Sequence, residues 1–184
     1  KGKIIILPTS TIYGICCNAL DKIAVKKIYK IKKREYNKPL IVLVNDYNML
    51  EKVCFDLNKI ESKIADNFWP GPLTMILQKK NIIPKIVTAN NNTVGVRIDL
   101  NNLVNLLIEK AGVPIVAPSA NISGSGNITS IDELEDIIKE NVDYIIDSGR
   151  LYNTIESTLI KVEKDSINIL REGKISKEEI YNLK

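Results

Sequence analysis

Short runs of apolar residues alternate along this chain with longer stretches in which apolar residues recur every three or four positions. Apolar runs bounded by Pro, Gly, Asn or Ser are typical of buried β-strands. The segment 93–98 (TVGVRI) differs, because apolar and polar residues alternate and Arg97 falls on the polar face, as in a half-buried strand. We therefore predict strands at 3–7, 40–44, 75–77, 93–98, 113–117, 142–146 and 167–170, and one that begins at 156.

The stretches between these runs carry signals for the start of a helix. Asp21 is a typical N-cap for a helix that runs to about Lys33 and ends in a cluster of basic residues, which the negative end of the helix dipole favours. Ser130 with Glu133 has the spacing of a capping box, and the same spacing recurs at 176–179. Helices are thus predicted at 22–33, from 46, from 58 or 62 to 68, from 101 or 102 to 110, at 130–140 and from 176.

Because helices and strands interleave, the sequence predicts an α/β fold in which helices flank a twisted mixed sheet. A chain of 184 residues is long enough for one domain with a full core and short for two. We therefore expect a single domain over 1–184. The Pro-Gly-Pro sequence after Trp69 is predicted to be a structural turn with the tryptophan packed beneath it.

The segment 112–124 (GVPIVAPSANISG) joins a buried strand to a loop of small hydroxyl and amide residues. Open α/β sheets bind ligands where such loops follow strands, and the accessible N–H groups suit an anionic oxygen such as that of a phosphate. An ordinary turn explains the same residues, because Ser, Asn, Gly and Pro all favour turns for local reasons. This segment by itself leaves both interpretations open.

The composition excludes several kinds of catalytic and metal-binding site. There is no histidine, which excludes a Ser-His-Asp or Cys-His mechanism within this chain and a His-ligated zinc ion. The three cysteines have no C-x-x-C spacing, which argues against a disulfide framework or a cysteine zinc site and fits a reducing cytoplasmic location. No apolar run approaches the roughly 18 residues that a transmembrane helix needs, so the sequence predicts none. The net charge of +4 is compatible with anionic ligands but too small to indicate nucleic-acid binding.

Seven short motifs together resemble the YrdC-like threonylcarbamoyl-AMP synthase family. None is specific alone, but the seven occur in the family's order over nearly the whole chain. They are PTSTIYG at 8–14, KxR at 32–34 with KPL at 38–40, WPGPLT at 69–74, VGVR at 94–97, APSANISG at 117–124, ESTL at 156–159 and LREG at 170–173.

The resemblance implies the YrdC-like fold with a basic concave cleft, and a nucleotidyltransferase activity. The family makes threonylcarbamoyl-AMP and pyrophosphate from ATP, L-threonine and bicarbonate, for threonylcarbamoyladenosine modification of tRNA. Mg²⁺ would accompany ATP, held mainly by the phosphates, without a metal site made by the protein. The implied partners are the downstream tRNA threonylcarbamoyl transferase proteins, with direct RNA contact left open and no membrane. The family's usual N-terminal helix is expected to be missing.

The resemblance also assigns roles to residues of this sequence. Arg97 is expected to pair with the threonine carboxylate, since a lone cation on a small, polar strand face is what a buried carboxylate requires. The implied catalytic residues are Lys32, Arg34, Ser119 and Asn121. The implied ATP-binding residues are Lys32, Arg34, Lys38, Thr93, Ser119, Asn127 and Arg171, and the implied threonine-binding residues are Thr11, Arg97, Ala117 and Ser157.

A few positions depart from the family pattern. Ser10 stands where Glu or Asp is frequent, and Cys16 and Cys17 where Gly and Ala are common. Leu43 replaces a histidine that contacts threonine in some members, and Asn127 stands where many members have a phosphate-contacting serine. These departures affect the expected contacts with threonine and with the triphosphate.

A module that binds double-stranded RNA or tRNA through the same basic cleft, without making an adenylate, is the alternative hypothesis. Two features oppose it. The chain has only two Phe residues and lacks the interleaved aromatic and basic residues of single-strand binders. A set of residues for threonine is also unnecessary for contacts with a phosphate backbone. The enzyme is therefore the preferred hypothesis.

Overall fold

The computed structural model describes residues 2–152, 154–164 and 166–183. The strands in these ranges are β1 (Ile5–Pro8), β2 (Tyr13–Asn18), β3 (Val42–Val44), β4 (Leu73–Gln78), β5 (Thr93–Ile98), β6 (Ile115–Val116), β7 (Tyr144–Ile145), β8 (Thr158–Glu163) and β9 (Ser166–Arg171). They form one sheet in the order β7-β1-β2-β6-β3-β5-β4-β8-β9. β7 with β1, β3 with β5 and β4 with β8 are parallel and the other neighbours antiparallel, which confirms the predicted mixed sheet.

The helices begin largely where the capping signals indicate. Asp21 accepts hydrogen bonds from the backbone N–H groups of Ile23 and Ala24 at the start of α1. Asn58 and Glu61 form a capping box at the start of α3. These bonds satisfy donors that the first helical turn leaves unpaired. The helices are α1 (Lys22–Ile31), α2 (Tyr47–Val53), α3 (Lys59–Phe68), α4 (Asn102–Ala111), α5 (Asp136–Lys139) and α6 (Lys177–Tyr181).

No strand was predicted to begin within the PTSTIYG motif at 8–14, and this was wrong, because Tyr13 opens strand β2. Five of the six residues of β2 are buried, so the strand has no polar face and shows no alternation in the sequence. β1 and β2 instead form an antiparallel hairpin in which Pro8 pairs with Tyr13. Thr9 to Ile12 therefore form the tight connection between two strands.

The predicted helix at 130–140 was also wrong. The structure has a short 3₁₀ turn at Ile131–Glu133, followed by α5. Ser130 caps only this short turn, and the carboxylate of Glu133 accepts from the backbone N–H of Thr129 rather than from that of Ser130. The capping box is therefore not formed, and nothing at 130 stabilises a longer helix.

Helix α1 ends at Ile31, two residues earlier than predicted. Lys33 has φ 48°, in the left-handed region that a helix cannot continue through. Lys32 and Arg34 consequently lie on the turn after the helix rather than on its last turn. From this turn the side chain of Lys32 reaches the loop after β6, while that of Arg34 donates to the carbonyls of Lys38 and Pro39.

The loop after β6 is fixed by hydrogen bonds from both sides. Strand β6 lies between β2 and β3. Ala117 donates its backbone N–H to the carbonyl of Ile41, 3.1 Å away, and Ala120 donates to the carbonyl of Tyr13, 2.8 Å away. Pro118 accepts from the N–H of Ile15. The loop that the sequence singled out is thus held in place at the centre of the sheet.

One continuous apolar core supports the sheet, with Ile6, Ile15, Leu43 and Val96 among its fully buried members. Trp69 packs in this core, and its indole N–H donates to the carbonyl of Leu73 at 2.7 Å, as the predicted structural turn requires. Within the described ranges, no helix has the length and apolar character needed to cross a membrane.

Candidate functional site

A cavity of about 110 Å³, here called the inner cavity, opens beside the loop after β6. Its lining residues come from stretches that are far apart in sequence. They are Thr9, Thr11, Ile12, Gly14, Arg34, Pro39, Leu40, Ile41, Arg97, Ala117, Pro118, Ser119, Glu156, Ser157 and Arg171. The structure therefore brings together all four residues expected to bind threonine.

Arg97 on β5 is paired with a carboxylate of the protein itself. Its Nη2 lies 2.7 Å from Oδ2 of Asp99, and the two side chains are 2% and 0% exposed. The other carboxylate oxygen of Asp99 accepts from the backbone N–H groups of Ser10 and Asn101. Burial lowers the pKa of Arg97, and the neighbouring Asp99 opposes this change. Arg97 is thus a buried cation whose charge Asp99 compensates.

Asp99 was not among the predicted site residues. The available signal was its spacing, because residues two apart in an extended chain lie on the same face. Arg97 can still donate to a ligand, because its Nε is buried without a hydrogen-bond partner among the described residues. Its Nη1 donates to Oγ1 of Thr11 at 3.1 Å. A buried donor left unpaired favours binding of a polar ligand.

Buried hydroxyl groups surround this arginine in two pairs. Oγ1 of Thr9 and Oγ1 of Thr11 are 3.0 Å apart, and Oγ1 of Thr74 and Oγ of Ser157 are 2.8 Å apart. A hydroxyl group both donates and accepts, so these groups can adapt to either kind of polar atom on a small ligand. The inner cavity is therefore suited to a compact polar molecule.

Arg171 closes the inner cavity from the side of β9. Its Nε and Nη2 donate to the carbonyl of Ser157, at 3.2 and 2.9 Å, and its Nη1 lies 2.8 Å from Oε2 of Glu156. Gly173 permits this arrangement, because a Cβ there would lie 2.2 Å from the carbonyl oxygen of Glu156. Glu156 opens the ESTL motif but was not among the predicted site residues.

A second cavity of about 440 Å³, here called the outer cavity, adjoins the first. It contains the catalytic and ATP-binding candidates Lys32, Arg34, Lys38, Ser119, Asn121 and Asn127. Arg34, Ser119 and Glu156 line both cavities. The structure thus divides most of the predicted residues into two groups that meet along these shared side chains.

Lys32 holds the loop after β6 through its ammonium group. Nζ donates to the carbonyls of Ser119 and Asn121, each at 2.5 Å, and to Oδ1 of Asn121 at 3.3 Å. Three acceptors thus surround Nζ, which can donate to all of them only in its charged form. Burial lowers the pKa of Lys32 to about 7, and the nearby charge of Arg34 acts in the same direction.

Asn121 connects the two ends of this loop. Its Oδ1 accepts from the hydroxyl of Ser119 at 2.5 Å, and its Nδ2 donates to the carbonyls of Ser125 and Gly126, at 2.5 and 3.1 Å. With Lys32, it makes a closed hydrogen-bond network over 119–126. The Ser119 hydroxyl is consequently held at the boundary between the two cavities.

Arg34 is partly exposed at the same boundary. Its Nε donates to the carbonyl of Lys38 at 3.1 Å and its Nη2 to the carbonyl of Pro39 at 2.9 Å. Two backbone carbonyls thus orient the guanidinium, which lines both cavities. An arginine oriented in this way is well suited to an anionic group with several oxygens.

Thr93 is the one ATP-binding candidate that lines neither cavity. It lies in a broad open groove near β9 together with Asn91, Lys161 and Arg171. Arg171 lines both this groove and the inner cavity, so Thr93 is connected to the rest of the candidates only through that residue.

The departures from the family pattern have structural roles. The backbone N–H of Ser10 donates to Asp99, and Leu43 is fully buried in β3, paired with Arg97 of β5. Cys16 and Cys17 are both buried in β2. Burial raises the pKa of Cys17 to about 12 and also raises that of Cys16, so both remain thiols and are poor nucleophiles.

The described part of the chain contains no cluster of side chains that would form a metal site. No group of three or more His, Cys, Asp or Glu residues that could hold an ion occurs among residues 2–152, 154–164 and 166–183. Ser119 and Asn121, which carry side-chain oxygens, line the outer cavity.

Comparisons with known proteins show which family this chain resembles. A protein of Methanocaldococcus jannaschii is 45% identical over 175 residues, which are 95% of this chain and 82% of that protein. The threonylcarbamoyl-AMP synthase of Pyrococcus abyssi is 37% identical over 180 residues, covering 98% of this chain and 53% of its own length. The structure of Pyrococcus abyssi Sua5 complexed with L-threonine has a TM-score of 0.92 and 36% identity, and the match covers 99% of this chain and 54% of that one.

This chain thus spans about half the length of the Pyrococcus abyssi relative. The model of the Sua5/YciO/YrdC family, described as "Telomere recombination", matches residues 1–173. The match extends over every strand of the sheet and over both cavities. The chain therefore belongs to the Sua5/YciO/YrdC family.

Proposed function

We propose that this protein is an L-threonylcarbamoyladenylate synthase. It makes threonylcarbamoyl-AMP and pyrophosphate from ATP, L-threonine and bicarbonate. The observation that carries this proposal is the pair of adjoining cavities that share Arg34 and Ser119. A small amino acid in one and a triphosphate in the other would bring a carbamate and an α-phosphate to the same boundary.

The inner cavity takes threonine in this proposal. Arg97 and the hydroxyl of Thr11 bind the carboxylate, with the free Nε of Arg97 as a donor. Ser157 and the backbone at Ala117 contact the rest of the amino acid. The L-threonine complex of the Pyrococcus abyssi relative supports this choice of substrate.

The outer cavity takes the triphosphate. Lys32, Arg34 and Lys38 supply positive charge, Ser119, Asn121 and Asn127 supply hydrogen bonds, and Arg171 approaches from the other side. Thr93 would contact the nucleoside along the open groove. Mg²⁺ arrives with ATP as part of the substrate and neutralises phosphate charge.

The chemistry then needs two steps. The threonine amine adds to the carbon of bicarbonate, which gives a carbamate and releases water. A carbamate oxygen attacks the α-phosphorus of ATP as the bond to the β-phosphate oxygen breaks, and the electron pair leaves with pyrophosphate. Positioning and charge neutralisation are the main requirements of such a displacement, so the absence of histidine is no obstacle.

The product would be passed to tRNA threonylcarbamoyl transferase proteins in the cytoplasm. The acyl phosphate anhydride is a reactive species, so a following transfer to an adenosine of tRNA is the class of reaction that consumes it. Direct contact of this chain with tRNA is not required by the proposal.

The test is direct incubation of the protein with ATP, L-threonine and bicarbonate, followed by mass spectrometry. We expect threonylcarbamoyl-AMP and an equal amount of pyrophosphate. Omission of bicarbonate or replacement of threonine by alanine serves as the control and should remove most of the product. Pyrophosphate release that does not depend on threonine would contradict the proposed reaction.

A further prediction concerns pH and Lys32. With a pKa of about 7 against the ordinary 10.5, Lys32 is mostly neutral at pH 8 in the free protein. A bound triphosphate favours the charged form, so the pKa rises and ATP binding takes up a proton. ATP affinity should therefore increase as the pH falls from 9 through 7, and it should level off only where the pH is well below 7 and Lys32 is fully charged in the free protein.

Calorimetry in buffers of different ionisation enthalpy measures this proton uptake. At pH 8 we expect about one proton per ATP beyond the uptake seen with Lys32→Met, since the variant retains the phosphates' own protonation but lacks the lysine. Equal uptake by the variant and the wild type would show that Lys32 does not change its charge when ATP binds.

A further inference from the structure

Glu156 is a carboxylate at a site where anions are expected to bind. It is the only acidic residue among the described residues that line the inner cavity, and also among those that line the outer one. Its side chain is 35% exposed, so it faces the cavities rather than the core. A carboxylate there repels a triphosphate and the threonine carboxylate, and it favours a cationic group in the same place.

The partner of Glu156 within the protein does not fully explain its position. Arg171 lies 2.8 Å away, but only its Nη1 is used, while Nε and Nη2 are already held by the carbonyl of Ser157. Arg171 is thus oriented by the backbone without the carboxylate. Only Oε2 of Glu156 has a hydrogen-bond partner among the described residues, which leaves Oε1 free to accept from a ligand.

The inner cavity has complementary partners for the other groups of an amino acid. Arg97 and the hydroxyls of Thr11 and Ser157 suit a carboxylate and an alcohol. Arg97 repels an ammonium group, and the two hydroxyls can accept from it but carry no negative charge to offset its own. The charge of Asp99 is already used by Arg97, so it is not available.

We propose that Glu156 binds the α-ammonium group of the amino-acid substrate and holds its nitrogen at the boundary of the two cavities. The inference rests on the proposed function for the identity of the substrate. It adds a residue that selects an α-amine and places it where bicarbonate and the α-phosphate must meet. Glu156 contacts the nitrogen before the amine loses its proton to solvent and attacks the carbon.

The variant Glu156→Gln tests this role, because it keeps the size and one acceptor oxygen but removes the charge. We expect about tenfold weaker binding of L-threonine in calorimetry without bicarbonate. ATP binding should stay unchanged or become tighter, because a negative charge beside the triphosphate is lost. If Glu156 served only to orient Arg171, the variant would weaken ATP binding and spare threonine, which is the opposite result.

An amine-free ligand makes the test specific. 3-Hydroxybutanoate of the same configuration keeps the carboxylate and hydroxyl of threonine but lacks its amine. The wild type should prefer threonine over this acid, and Glu156→Gln should lose about tenfold of that preference, as in a double-mutant cycle. An unchanged preference would overturn the inference.

Glu133→Gln is the matched control. Glu133 forms an ion pair with Arg150 at 2.9 Å and is 37% exposed, much like Glu156, but it lines neither cavity. This variant should bind both ligands as the wild type does. If the wild type makes the adenylate while Glu156→Gln binds threonine normally, only the inference fails; if the wild type neither binds threonine nor makes product, both proposals fail.

Discussion

Replacement of Arg97 by methionine is expected to lower the free energy of unfolding by about 3–5 kcal/mol at pH 7. The change leaves Asp99 as a buried carboxylate without its compensating charge, since the pair is 2% and 0% exposed. Most domains have only about 5–15 kcal/mol of stability in total. The variant should therefore be close to the limit of folding, and urea denaturation followed by circular dichroism measures the loss.

A second substitution separates the effect of the unpaired charge on stability from the effect of lost side-chain packing. Arg97→Met combined with Asp99→Asn should recover most of the loss, because no charge is left unpaired and an amide oxygen still accepts from Ser10 and Asn101. Arg171→Met is the comparison for an accessible pair, with its partners 38% and 35% exposed, and should cost about 1 kcal/mol or less. Equal losses for Arg97→Met and Arg171→Met would contradict the importance of burial.

Replacement of Arg34 by alanine is expected to lower the rate of adenylate formation about 100-fold, the usual effect of removing a donor that stabilises developing charge. Arg34 lines both cavities and is oriented by the carbonyls of Lys38 and Pro39. In the proposed reaction, this position is where the leaving phosphate oxygens gain charge. Pyrophosphate release at saturating ATP and threonine measures the effect.

Two variants test whether the rate depends on the charge of Arg34 and on its position beside the cavities. Arg34→Lys should recover part of the rate, because a lysine restores the charge but not the planar set of donors. Arg150→Ala removes an arginine that pairs with Glu133 and lines neither cavity, and it should leave the rate unchanged. A normal rate in Arg34→Ala would remove Arg34 from the catalytic residues.

Much of the fold was predictable from local patterns. The strand at 93–98 has the predicted bounds, and Asp21, Asp46 and Ser176 cap helices as expected. Caps and alternation are local, so a short window contains the information they need. Strand β2 was missed for the same reason, because a strand buried on both faces has no alternation to detect.

The sequence also identified most residues of the candidate site, through motifs that gather hydroxyl groups and cations at strand ends. All four threonine candidates line one cavity, and Lys32, Arg34 and Asn121 line the next. Their roles toward ATP and threonine remain predictions, as do the basic character of the cleft as a whole and the single domain over 1–184.

The sequence by itself determined which residue types stand at the ends of the strands, and hence the α/β class, the family and the candidate chemistry. Only the tertiary structure decided which of those groups are already engaged with one another. Lys32 binds the carbonyl of Ser119, 87 positions away, and Arg97 binds Thr11, 86 positions away. Such pairs depend on strand order and register, which bring distant residues within hydrogen-bond distance and which no local pattern specifies.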